Sequence, residues 1–161
     1  AKNAGAGALA HEWFHAFDHY IASKMFAVSG SNLFASEIWL NENAQMNAHA
    51  LNSQLALCFE TIFLEGNGSL PSELMQKSVL IDKELKSFYY ARPQEVAARA
   101  FEACIQNHRI KNAFLVQGTK QSAEAKLGIY PSGYQLAAIA NEMATYFNWL
   151  GKALDHSPAG E

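Results

Sequence analysis

A mainly α fold of about five helices, with little or no sheet, is predicted by three features of the sequence. Large apolar residues recur at steps of three and four in the opening and closing stretches, the period of a helix with one buried face. Proline and glycine clusters interrupt the chain at helical lengths. Half of the residues are apolar and only 17% are charged, which suits a packed body and not a disordered or fibrous one. With 161 residues, the chain is long enough to bury a core as one domain spanning 1–161.

From Ala8 to about Phe26 the stripe consists of Leu9, Trp13, Phe17, Tyr20, Ile21 and Met25, and Ser29-Gly30-Ser31-Asn32 ends it. A second helix with a buried, apolar middle is expected from Asn43 to Glu65, closed by Gly66-Asn67-Gly68-Ser69. Ser69, with Pro71 in the first turn, starts a third helix that ends near Lys86. Arg92-Pro93 starts a fourth that runs to about Asn107. Ile110 to Val116 fits either strand or helix, and Gly118 to Gly128 reads as a polar loop with a weak helical piece. Tyr130-Pro131-Ser132-Gly133 opens the last helix, through about Leu154, with Leu136, Ile139, Ala140, Met143, Phe147 and Leu150 on one face.

Composition excludes several functions. A net charge of −3 without any cluster of lysine or arginine leaves nothing to grip phosphates, so nucleic acid is not expected as a partner. The best apolar run, Leu55 to Leu64, is interrupted by Glu60 and falls short of the roughly 18 residues of a membrane span. Cys58 and Cys104 sit apart in apolar helical surroundings, the pattern of reduced, buried thiols. The chain opens Ala-Lys-Asn, with no initiator Met and no signal peptide, which suggests a cytoplasmic domain excised from a longer polypeptide.

The chemistry begins with His11-Glu12-Trp13-Phe14-His15. Two imidazoles four residues apart stand one above the other on a helix and can point at a single ion. Zinc accepts neutral imidazole nitrogens, and a catalytic zinc keeps three protein ligands with water in the fourth position. Glu12, beside the first histidine, is placed to reach that water instead of the metal. Asp18 and Glu95 are the contenders for third ligand. Asp18 lies three residues after His15, where its short side chain would have to bend back past its own turn. It fits better as the acceptor of an imidazole N–H, a contact that fixes the tautomer. Glu95 opens a helix rich in small residues, which permits close packing on another helix, and it shares a stripe with Arg99 and Glu102. There Glu95 would hold zinc, while Arg99 or Glu102 would steady it or an imidazole.

These segments resemble the catalytic domain of anthrax lethal factor and its relatives, zinc peptidases with a His-Glu-x-x-His helix and a Glu-donating helix further on. The resemblance rests on His11-Glu12-x-x-His15-Ala16-x-Asp18-x-Tyr20 and on Glu95-x-x-Ala98-x-Ala100-Phe101, preceded by Tyr89 or Tyr90. It implies that Glu95 is the third ligand and that one of the tyrosines, with Tyr90 slightly favoured, stabilises the oxyanion. Phe14 stands where that family usually has Gly, crowding the face beside the metal helix, and Arg99 stands where it has an acidic residue. A broader likeness is to large polyvalent protein-associated domain 1, a zincin-like domain embedded in very long proteins of phages and mobile elements. It is carried by Gly5-Ala6-Gly7-Ala8-Leu9-Ala10-His11-Glu12-Trp13, Tyr90-Ala91-Arg92-Pro93-Gln94-Glu95 and Tyr130-Pro131-Ser132-Gly133.

Together the residues and the resemblance imply a zinc-dependent peptidase of gluzincin type with a zincin-like helical core. The expected cofactor is Zn2+, held by His11, His15 and Glu95, with Glu12 activating the zinc-bound water against a peptide bond of a protein or peptide substrate. The alternative is a zinc-binding but non-hydrolytic domain, in which the metal staples the first and fourth helices of an interaction module in a larger protein.

Overall fold

The structure is a computed structural model that describes residues 8–28, 30–110, 112–113, 115–116, 119–120 and 122–155. Among them run seven helices and no sheet: α1 (Leu9–Met25), α2 (Ala35–Trp39), α3 (Ala50–Phe63), α4 (Glu73–Leu85), α5 (Pro93–Asn107), α6 (Ala123–Lys126) and α7 (Gly133–Asp155). The five long helices are those expected from periodicity, α6 is the weak helical piece expected within 118–128, and α2 is a short addition. None of the described helices is long and apolar enough to cross a membrane.

Two of the boundaries differ from expectation. The second long helix starts at Ala50 and not near Asn43, because the backbone of 45–47 is consumed by the end of α1. Ala27 N–H donates to Gln45 O at 3.1 Å and Asn47 N–H to Met25 O at 2.8 Å, forming an isolated bridge between Phe26 and Met46. The His49 side chain then caps α3 by accepting the Leu51 N–H. The third long helix starts at Glu73. Pro71 pairs with Leu64 across the Gly66–Ser69 turn, and the Ser72 hydroxyl accepts the Met75 N–H as N-cap. Pro93 occupies the first turn of α5 as expected. The described part of 110–116 forms neither strand nor helix, while Lys111 and Phe114 lie outside the described residues, as do Gln117, Gly118, Gln121 and the Gly5–Gly7 stretch.

Two helix pairs organise the molecule: α1 lies along α5, α3 along α7, and α5 also meets α7. The first pair packs closely because α5 offers Ala97, Ala98 and Ala100, all fully buried, as its inner face. Phe14 is fully buried in this seam, its ring 5.0 Å from that of Phe101 and 5.7 Å from that of Phe17. The sequence reading had it crowding the metal side of α1; it belongs instead to the core, where it sets the distance between the two helices. Trp13 continues the aromatic cluster outward, with ring centroids 5.4 Å from Phe17 and from Phe101. Both cysteines are free, and burial pushes each thiol up to about 12, in keeping with reduced core residues.

Candidate metal centre

α1 and α5 lie side by side, and the first two turns of α1 with the first turn of α5 bring three side chains together. His11 and His15 project from α1 and Glu95 from the first turn of α5. The two Nε2 atoms stand 3.1 Å apart. Glu95 Oε2 is 3.4 Å from His11 Nε2, and Glu95 Oε1 is 3.4 Å from His15 Nε2. Four bonds of about 2.0–2.1 Å in a tetrahedron place neighbouring ligand atoms ~3.3 Å apart, so these spacings match the edges around one zinc ion. Glu95 Oε2 is buried and accepts no hydrogen bond. A buried carboxylate oxygen left in this state is costly unless a cation faces it. The three side chains keep 12–20% of their surface, enough for access from solvent. The residues therefore fit the ion that their types suggest.

The sequence reading offered Glu102 and Arg99 as possible supports, and the structure divides the work between them differently. Glu102, nearly buried, sets Oε2 3.4 Å from His11 Nδ1 and accepts the Tyr130 hydroxyl at 3.1 Å. Contact with Nδ1 leaves the other nitrogen of His11 facing the cluster. Arg99 makes no ion pair with Glu95. It is buried beneath Tyr90, where it donates to Tyr90 O and, at 3.1 Å, to Ile129 O, with its guanidinium 5.8 Å from the Tyr90 ring.

Asp18 is corrected as well. Its carboxylate is fully buried, but its hydrogen bonds come from Ser36 of α2, the N–H at 2.9 Å and the hydroxyl at 2.5 Å, and not from an imidazole N–H. Burial pushes its pKa up to about 6 against the pull of those donors, and the charge of His15 acts on it only through space. Asp18 thus locks α2 to α1 beneath the site. His19 is exposed, its Nδ1 2.8 Å from Leu33 O.

The two tyrosines separate clearly. Tyr90 is engaged by Arg99 through its carbonyl and ring. The Tyr89 hydroxyl is directed at the Glu95 carboxylate, and burial together with that carboxylate raises its pKa to about 12. Tyr89, the less favoured of the two on sequence grounds, is therefore the one beside the cluster. Glu12 is exposed on α1, beside His11 in sequence.

Electrostatically the cluster is primed for a cation. Burial alone would lower the pKa of His11, but the Glu102 and Glu95 carboxylates on its two sides raise it to about 9. Glu95 is held well below the usual carboxylate range: burial opposes this, and His11, His15 and Tyr89 outweigh it. The two carboxylates thus favour positive charge at His11.

Sequence reasoning missed the contacts of Tyr130 and Ser36. Tyr130 stood in the segment read as opening the last helix, but nothing in local spacing shows that its hydroxyl crosses to Glu102.

Among families of known proteins, the model of large polyvalent protein-associated domain 1 matches residues 81–154. The matched stretch runs from the end of α4 to the end of α7 and carries Tyr89, Glu95, Glu102 and Tyr130, while the two histidines precede it. The match marks this part of the chain as similar to a domain associated with large polyvalent proteins. Neither the curated proteins nor the solved structures give a match to the chain.

Proposed function

We propose that the chain is a zinc-dependent peptidase in which His11, His15 and Glu95 hold the ion and Glu12 is the general base. One observation carries this reading. Three potential ligand side chains on two different helices converge, the two imidazole Nε2 atoms 3.1 Å apart and each 3.4 Å from one oxygen of Glu95, Oε2 for His11 and Oε1 for His15, with the buried Glu95 Oε2 lacking any hydrogen bond. Bound there, zinc would supply Lewis acidity, polarising a carbonyl and bringing the pKa of a water toward about 7.

The chain's own groups would do the rest. Glu102 receives His11 Nδ1, and Tyr130 secures Glu102, so the imidazole is held in one orientation. Glu12 takes the proton from the attacking water and passes it to the leaving amine. Tyr89 directs its O–H into the cluster, where it would donate to the oxyanion that forms on the scissile carbonyl. The motif likeness to the lethal factor catalytic domain is in keeping with these roles. The substrate would be an unstructured protein or peptide segment.

A second reading, a zinc staple between α1 and α5 without hydrolysis, is favoured by one feature. Among the described residues no sheet borders the histidines to pair with an extended substrate. Fluorescein-labelled casein separates the two. The peptidase reading expects cleavage by the wild type, arrest by a chelator, and a rate lowered about 10²-fold or more in Glu12→Gln with zinc retained. Full zinc without cleavage, in the wild type, would favour the staple.

A further inference from the structure

Between α4 and α5 the chain turns through Ser87–Ala91, a surface segment with little burial to fix its shape. Phe88 is 86% exposed and Tyr89 45%. Hydrogen bonds do the fixing. Asp82, in the last turns of α4, accepts three successive backbone N–H groups: Tyr89 at 3.1 Å and Tyr90 at 3.0 Å on Oδ1, and Ala91 at 2.8 Å on Oδ2. A carboxylate near the C-terminal end of a helix faces the negative end of the helix dipole, so Asp82 is poorly placed for α4 itself. Its surroundings make sense only for the turn that follows. Three consecutive amides converging on one carboxylate restrict the backbone at 89, 90 and 91 together.

The far side of the turn is held as well. Arg99 takes the Tyr90 carbonyl and lies beneath its ring, and Arg92 Nε donates to Phe88 O at 2.6 Å. With the Tyr90 ring committed to Arg99, the ring of Tyr89 stands edge-on to it at 5.3 Å and carries its hydroxyl toward Glu95. We propose that Asp82 is a positioning residue: by gathering the Tyr89, Tyr90 and Ala91 amides it holds the Tyr89 hydroxyl at the edge of the His11, His15 and Glu95 cluster. This rests on the peptidase reading for its effect on rate, and on metal binding alone for its effect on geometry.

The test uses Asp82→Ala, Tyr89→Phe and the double variant in the full chain, with Asp82→Asn as a milder change that keeps an acceptor oxygen. On labelled casein, Asp82→Ala is expected to lower kcat about tenfold or more with KM within about twofold. In the double variant the rate should be no lower than with Tyr89→Phe alone, because both changes remove one donor. Asp82→Asn should fall between the wild type and Asp82→Ala. In parallel, the Co2+-loaded protein with 13C-labelled tyrosine reports the Tyr89 ring by its pseudocontact shift. Asp82→Ala is expected to at least halve that shift at unchanged cobalt stoichiometry. Additive losses in the double variant, or an unaltered Tyr89 shift, would overturn the proposal. If the wild type binds cobalt but does not cleave casein, only the peptidase reading falls, and the Tyr89 shift alone decides for or against the positioning role. A wild type that binds no cobalt overturns both.

Discussion

Glu102 Oε2 lies 3.4 Å from His11 Nδ1, on the side of the imidazole away from Glu95. A carboxylate in that position favours the tautomer that leaves Nε2 free toward the cluster and makes that nitrogen more basic. Glu102→Gln keeps the shape but removes the charge, so zinc affinity is expected to fall about 10- to 100-fold. Competition against a chelator of known affinity measures it. Tyr130→Phe, which removes only the hydroxyl donated to Glu102, should cost less than Glu102→Gln.

Proton linkage follows from the same pair of contacts. In the metal-free chain His11 has a pKa raised to about 9 from 6.5. The stability that its protonated form contributes is therefore complete below about 6.5 and is lost as pH rises through about 9. Zinc needs the neutral nitrogen, so binding at pH 7.5 should release about one proton from His11, and apparent affinity should rise about tenfold per pH unit until pH approaches 9. Titration calorimetry in buffers of different ionisation enthalpy counts the proton. The melting temperature of the metal-free protein should fall between pH 7 and pH 10.

Phe14 tests the scaffold beneath the site. Its fully buried ring, against Phe101 and Phe17, sets the spacing of α1 and α5, and Phe14→Ala is expected to cost about 3–5 kcal/mol of folding free energy. Denaturant unfolding of the zinc-free protein measures this without interference from metal linkage.

How far the site was legible follows from which contacts are local. His11 and His15 lie one turn apart on one helix, so their convergence could be read from spacing alone. The five long helices were equally legible, since apolar periodicity and turn residues act over short range. Glu95 was accessible through the small residues of α5, which announce a close helix neighbour without saying which face meets it. The tyrosine choice was not decidable from sequence, because it hangs on a turn held by Asp82 seven and eight residues earlier and by Arg99 from the next helix. Asp18 misled for a related reason: the donor that satisfies it, Ser36, arrives on α2, a five-residue helix with too short a pattern to predict. The start of α3 failed because backbone groups of 45–47 pair with the end of α1, a tertiary contact that overrides an otherwise helical sequence.

The central claim is that one ion is held jointly by α1 and α5, and the zinc content of the purified chain tests it most directly. Elemental analysis of the wild type, His15→Ala and Glu95→Ala, each dialysed against the same trace zinc, is expected to give about one zinc per chain in the first and close to none in the other two. A wild type without zinc, or a Glu95→Ala protein that keeps its zinc at full affinity, would contradict it.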